Sequence, residues 1–118
     1  MGEPLQSCST AILVTRNGMG RADTELSHKL INVYFDLLVA NNMLPSHICF
    51  YGEGVKLTVE GSPVLDVLTS LEKKGVHLSI CITCLDYYGV RQSVKVGHIE
   101  NMLKILEYQW KADKVITI

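Results

Sequence analysis

The chain has 118 residues, of which 47% are hydrophobic and 19% charged, a composition typical of a globular protein large enough for one core. Eleven basic and twelve acidic residues give a net charge of -1 without a basic run, so we expect neither a nucleic-acid nor a membrane partner. No signal-peptide pattern is present, so the four cysteines are expected to be reduced in a cytoplasmic protein. We predict a single domain over residues 1–118, with residues 1–9 as a flexible segment.

The first half of the chain predicts two strands around one long helix. Residues 11–14 form a short apolar run, as expected of a strand covered on both faces. Asp23 is a candidate N-cap of a helix that ends near Asn41, and residues 48–51 form the second strand. The apolar positions of that helix follow at helical spacing: Leu26, Leu30, Ile31, Val33, Phe35, Leu37 and Leu38.

The second half continues the alternation of strands and helices. Ser62 is a candidate N-cap with Pro63 at the first helical position, and Gly75 ends that helix. The other predicted elements are a helical turn at 55–59, strands at 76–82, 94–96 and 114–118, and a last helix at 99–111. This order predicts βαβ units in an α/β fold, a three-layer α/β/α sandwich with a mostly parallel five-stranded sheet.

Two cysteines three positions apart lie where the third predicted strand ends. Cys81 and Cys84 fit a redox pair, half of a zinc site, or a chance pair of buried thiols. Function in an open parallel sheet collects beyond the carboxyl ends of the strands, where loops 16–22, 52–61 and 81–89 are expected to meet. A thiol there, just before a helix, is expected to be accessible and to ionise readily.

Nucleotide and zinc sites are both disfavoured. The first loop has Gly18 and Gly20, but Asp23 stands where a dinucleotide fingerprint needs a third glycine. Zinc needs about four ligands at close range. The remaining cysteines and histidines are not spaced to complete such a set, because His28 and His98 are predicted on helices and His77 at the far end of a strand. We therefore predict no metal site.

Three further residues are candidate binding residues near the cysteines. Asn17 belongs to the first loop, and Lys56 to a glycine-rich loop facing the same crevice. A cation at Lys56 would lower the pKa of a neighbouring thiol, although a solvated surface lysine is the more frequent case. Asp86 would oppose thiolate formation near Cys81, or it could cap the following helix. The side chains expected to serve only packing or surface roles are Cys8, Cys49, Tyr87, Tyr88, Trp110 and the four histidines.

Several segments resemble one known family. They are CITCLDYYG (81–89), GVKLTVEGSPVL (54–65), Gly20-Arg21 before an acidic helix start, and the ending ADKVITI. The chain resembles the DsrE/DsrF-like sulfur-relay family, and within it most the C-terminal domain of YedF-type proteins. The resemblance implies a DsrE-like fold that assembles into trimers or hexamers.

The resemblance also implies a sulfurtransferase-like carrier. Cys81, eight residues before Gly89, matches the position of the carrier cysteine, and Cys84 would be the resolving thiol. Such chemistry requires no cofactor, and its partners would be sulfur donor and acceptor proteins, including TusA-like ones. A dithiol/disulfide oxidoreductase and a non-enzymatic binding or assembly module remain the alternatives. Two of the predicted helices have more large apolar side chains than one sheet face should cover. Four aromatic residues among them are expected at subunit contacts: Tyr34, Phe35, Tyr108 and Trp110.

Overall fold

The structure, a computed structural model, describes residues 9–118. Its elements in chain order are β1 (Thr10–Val14), α1 (Thr24–Ala40), β2 (His47–Phe50), a 3₁₀ helix (Gly52–Thr58), α2 (Leu65–Lys73), β3 (His77–Cys81), α3 (Ile82–Tyr88), a 3₁₀ turn (Arg91–Ser93), β4 (His98–Glu100), α4 (Met102–Lys111) and β5 (Lys114–Thr117). Cys8 and most of the expected flexible segment lie outside the described residues. Ser9 is anchored, because its N–H donates to Asp113 Oδ2 at 3.0 Å.

The five strands form one parallel sheet in the order β4-β3-β2-β1-β5. The chain steps from β1 to β4 in one direction, and right-handed crossovers then place α1 and α2 on one face. The connection from β4 to β5 returns across the whole sheet, which places α4 on the opposite face. The predicted three-layer α/β fold with a five-stranded sheet is therefore confirmed, and the sheet is entirely parallel.

The face beneath α1 and α2 forms the apolar core. Its strand residues are almost completely buried: Ile12, Val14, Ile48, Phe50, Leu78 and Ile80. Phe35 of α1 and Leu68 of α2 pack into the same cluster and are also fully buried. Each such side chain contributes about 1.5–3 kcal/mol by leaving water. This face therefore supplies most of the hydrophobic stabilisation of the fold.

The apolar stripe of α1 is divided between core and solvent. Ile31 and Phe35 lie in the core, so the expectation that Phe35 would project beyond the sheet is wrong. Four predicted stripe residues are instead 41–54% exposed: Leu26, Leu30, Val33 and Leu37. Because α1 is apolar on two sides, its periodicity alone could not identify which side faces the sheet.

The region around β4 differs most from the sequence prediction. Val94 forms only an isolated bridge with Val59, whereas the fourth strand lies at His98–Glu100. His98 and Ile99, predicted in the last helix, therefore belong to a strand. The helix begins at Met102 because Asn101 caps it, its side chain accepting the Lys104 N–H at 3.0 Å.

Two predicted helix starts are also modified. α2 begins at Leu65, two residues after Pro63, and Ser62 Oγ accepts the Val64 N–H in the preceding turn at 3.2 Å. α1 follows Asp23 as predicted, but the Asp23 side chain makes no capping hydrogen bond. No helix within residues 9–118 has both the length and the apolar character needed to cross a bilayer.

Candidate functional site

The cysteine pair lies at the carboxyl edge of the sheet, where β3 passes directly into α3. Cys81 is the last residue of β3 and has extended backbone angles, and Cys84 lies in the first turn of α3. The two thiols are close enough for Cys81 to raise the pKa of Cys84. Cys81 is fully buried, whereas Cys84 is partly exposed. The expectation that Cys81 would be the accessible thiol is therefore wrong, because the start of α3 covers the strand end.

A backbone amide from the neighbouring loop contacts the exposed thiol. The Gly52 N–H donates to Cys84 Sγ at 3.1 Å. Gly52 has a φ of +58°, and a Cβ at Gly54 would lie 2.1 Å from the Val14 carbonyl oxygen. The two glycines thus allow the start of the 3₁₀ helix to lie directly against the end of β1, which positions the amide for Cys84.

The environment of the pair does not favour the Cys84 thiolate. Burial raises the pKa of Cys84, the Gly52 N–H lowers it, and the Cys81 thiol raises it again, so that it lies above the ordinary value. Burial therefore outweighs the hydrogen bond from the Gly52 amide at Cys84. In the described state Cys84 is therefore a thiol rather than a preformed thiolate.

The Lys56 side chain does not contact the cysteines, whose pKa it was expected to lower. Its Nζ lies 4.4 Å from the centre of the Tyr88 ring and 3.6 Å from Glu53 Oε2. Both partners satisfy the ammonium group without a contact to either thiol. Lys56 therefore joins the 3₁₀ helix to the C-terminal end of α3.

Asp86 lies within α3 and neither caps it nor faces Cys81. It is exposed and forms a bidentate pair with Arg91, with Nε–Oδ1 and Nη2–Oδ2 distances of 2.8 and 2.6 Å. Hydrogen bonding to Arg91 lowers the pKa of the Asp86 carboxyl. The pair spans the left-handed turn at Gly89 and so fixes the chain that leaves α3.

Asn17 lines an open cleft of about 580 Å³ between the first loop and the 3₁₀ helix. Its Oδ1 lies 3.4 Å from His28 Nε2, which holds the loop against α1. Arg16, Arg21 and Glu53 line the same cleft. Because Glu53 follows Gly52, the cleft borders the loop that contacts Cys84. Of the three expected binding residues, Asn17 is the one in an open cleft beside that loop.

The opposite sheet face contains a polar cluster that the sequence reasoning missed. His47, His77 and His98, which we call the histidine stack, lie on three adjacent strands. Ring centroids are 5.4 Å apart for His47 and His77 and 4.6 Å for His77 and His98. Three of the four histidines are therefore grouped in one cluster, which the sequence analysis did not predict. The available signal was that each of these strands begins with histidine and has Cys, Ser or Glu two residues later.

Glu100 and Tyr108 complete the cluster beneath α4. The Ser79 hydroxyl donates to Glu100 Oε1 at 2.7 Å, and His77 Nε2 lies 3.2 Å from the same oxygen. The Tyr108 hydroxyl donates to both carboxylate oxygens at 3.0 and 3.1 Å. Burial would raise the pKa of Glu100, but these hydrogen bonds together outweigh it and lower the pKa. Within residues 9–118 no group of three or more His, Cys, Asp or Glu side chains is arranged to hold a metal ion.

Comparison with known proteins gives one family and several similar folds. Residues 9–118 match the DsrE/DsrF-like family. Among solved structures, the ychN protein from E. coli is 18% identical, with 93% of this chain and 99% of that chain covered and a TM-score of 0.66. MTH1491 from Methanobacterium thermoautotrophicum, a protein of unknown function, is 16% identical, with coverage of 95% and 100% and a TM-score of 0.70.

A third solved structure, BT1422 from Bacteroides thetaiotaomicron, is also described as a protein of unknown function. It is 15% identical, with coverage of 93% and 95% and a TM-score of 0.67. No curated protein matches the chain. At these identities the solved structures support the fold alone.

Proposed function

Because this chain belongs to the DsrE/DsrF-like family, whose members are generally linked to sulfur relay, we propose that its Cys81–Cys84 pair carries sulfane sulfur between partner thiols. The observation that carries the proposal is the contact of two thiols at the carboxyl edge of the parallel sheet, one of them reachable from solvent. Asn17 and its cleft border this edge and provide a surface for the donor.

The transfer requires only thiol chemistry. The Cys84 thiolate attacks the outer sulfur of a donor persulfide, an S–S bond forms on Cys84, and the donor leaves as a thiolate with the electron pair of the broken bond. An acceptor thiolate then attacks the outer sulfur, and Cys84 leaves as a thiolate. No electrons are gained or lost overall, so the cycle proceeds without a cofactor. The Gly52 amide stabilises the charged sulfur in both steps.

Accessibility assigns the two cysteines in the reverse order from the resemblance. Cys84 is the thiol that a donor reaches, so it receives the sulfur. Cys81 lies against it and can attack the inner sulfur of the Cys84 persulfide, which closes a disulfide and releases hydrosulfide. Cys81 is thus the resolving thiol. The assignment of Cys81 as the carrier remains the alternative within the same function.

Intact-mass analysis after treatment with inorganic polysulfide tests the proposal. We expect the wild type to gain one sulfur, Cys84→Ser to gain none, and Cys81→Ser to retain its sulfur longer than the wild type. An added acceptor thiol should then remove it. Gain by Cys84→Ser but not by Cys81→Ser would restore Cys81 as the carrier. No gain on either cysteine would refute sulfur transfer.

A dithiol oxidoreductase is the second candidate, and the thiol–thiol contact favours it as well. That function predicts loss of two hydrogens in the wild type and no gain of sulfur in Cys81→Ser, which cannot close the disulfide. A binding or assembly module predicts no mass change. The leading proposal also includes a closer likeness to YedF-type proteins, a TusA-like donor and a cytoplasmic location.

We also propose that the chain forms a closed homo-oligomer, a trimer or hexamer. The exposed stripe of α1 and that of α4 support it, the latter comprising Met102, Leu103, Leu106 and Trp110. Trp110 is 85% exposed. Leu30→Glu should lower the mass measured by light scattering towards the 13.1 kDa of one chain, whereas its neighbour Lys29→Glu should not. A wild-type monomer would contradict the proposal.

A further inference from the structure

Two rings of the histidine stack, His47 and His77, lie against Tyr108 of α4, while His98 extends the stack to the exposed start of β4. Tyr108 of α4 stacks on His47 with centroids 4.1 Å apart and planes 20° apart, and its hydroxyl donates to Glu100. Ile105 is the buried apolar anchor of α4. One aliphatic side chain and one tyrosine therefore hold α4 in place, and the tyrosine is bound entirely through titratable partners.

We propose that the histidine stack, together with Glu100 and Tyr108, is a pH-sensitive latch that holds α4 on the sheet near neutral pH and releases it in mild acid. The inference does not depend on the chemistry at the cysteine pair. It rests on the stacking of three imidazoles and on the Glu100 carboxylate, which lies 3.2 Å from His77.

Protonation of more than one ring of the stack would bring like charges together. Glu100 Oε1 lies 3.2 Å from His77 Nε2, on the central ring of the stack. His98 is stacked parallel to His77, with planes 9° apart, and His47 lies on its other side. A second or third proton would therefore place like charges about 5 Å apart.

The remaining charged groups near the stack do not offset this repulsion. Lys104, Glu107 and Lys111 of α4 line the same shallow pocket of about 310 Å³ as His47. Two of these three groups are cations. Cys49, from β2, has its pKa raised to about 12 by burial and by Glu100, so it stays neutral. The surroundings thus favour an uncharged His47.

The direction of the pH effect follows from His47. Burial, and next the charge of His77, lower the pKa of His47 below its ordinary value of 6.5, while Glu100 opposes them. A histidine with a lowered folded pKa favours the closed state while it is neutral, and this advantage is lost as the pH falls below 6.5. For each additional proton that the open state binds, the equilibrium between closed and open α4 changes by about tenfold per pH unit.

Hydrogen exchange of the α4 amides between pH 7.5 and 5.5, corrected for intrinsic exchange, tests the latch on the full chain. We expect opening of α4 to increase by up to about tenfold over this range, while α1 and α2 stay protected. His98→Gln and His47→Gln should each make the pH dependence shallower. His28→Gln, which alters the one histidine outside the stack, is the matched control and should behave as the wild type.

A further variant separates the attachment of α4 to the sheet from the protonation of the histidines. Tyr108→Phe keeps the ring on His47 but loses the hydroxyl that donates to Glu100, so α4 should open more at pH 7.5 with the same pH dependence. Unchanged pH dependence in both His98→Gln and His47→Gln would overturn the proposal. Opening of α1 and α4 with identical pH profiles would also overturn it, because the protein would then unfold as a whole.

Discussion

The two faces of the sheet are covered in opposite ways. Beneath α1 and α2 the strands present mainly aliphatic and aromatic side chains, and these fit together by shape and area. Beneath α4 the same strands present the histidine stack, Cys49, Ser79 and Glu100, which must find hydrogen-bond partners. One sheet can thus combine a face whose stability varies little with pH and a face whose stability depends on protonation.

The strongest test of this contrast uses two adjacent residues of β2. Phe50 belongs to the apolar face and Cys49 to the polar face, and both are fully buried. Phe50→Ala should cost about 3–5 kcal/mol of unfolding free energy because it leaves a large cavity. Cys49→Ala should cost about 1 kcal/mol. Urea denaturation measures both, and equal costs would contradict a core concentrated beneath α1 and α2.

Thiol reactivity should separate the polar face from the carboxyl edge. The pKa of Cys49 is about 12, so its thiolate at pH 8 should be about a thousandfold scarcer than that of an ordinary thiol. Cys84 should react with iodoacetamide before Cys49 and Cys81, because it is the partly exposed thiol of the three. The labelling rate of Cys84 should continue to increase at pH values above the ordinary thiol pKa, because the pKa of Cys84 is raised.

Peptide mapping of samples labelled briefly at several pH values provides this measurement. Denatured protein, in which the environments of all the thiols are equalised, is the control. Labelling of Cys49 at the rate of Cys84 in the native protein would contradict the described burial of the polar face.

The smallest expected effect concerns Glu100. Its pKa is lowered in the fold because hydrogen bonds from Ser79, His77 and Tyr108 outweigh burial. The stabilisation it provides is therefore present above the ordinary value of 4.5 and is lost as the pH falls through the lower folded pKa. Glu100→Gln should destabilise the protein by about 1–2 kcal/mol at pH 7. Denaturation curves measured from pH 7 down to pH 3 should show that this difference shrinks as the pH falls below 4.5.

The sequence predicted the layers of the fold well because alternating strands and helices of these lengths permit few topologies. It failed where two local signals compete. α1 has apolar side chains on two sides, and contact with the sheet decides that Phe35 rather than Leu30 is buried. Ile99 fits the helical spacing of the last helix, but pairing with Ile80 of β3 draws it into β4.

The cysteine edge was predictable only in outline. Strand ends of a parallel sheet meet at one edge, so the positions of Cys81 and Cys84 followed from the pattern. Which thiol is buried depends on how α3 begins, and no periodicity contains that information. The histidine stack depends on the register of three strands that are distant in sequence, which a single chain read linearly does not reveal.

The close approach of Gly54 to Val14 has a consequence for transplanting this site. The amide that contacts Cys84 is placed by the spacing between β1 and the chain leaving β2, because any Cβ at position 54 would collide with the Val14 carbonyl. A CITC segment grafted onto another scaffold would carry both thiols but not this donor. The smallest portable unit therefore contains three strand ends and the GEG segment.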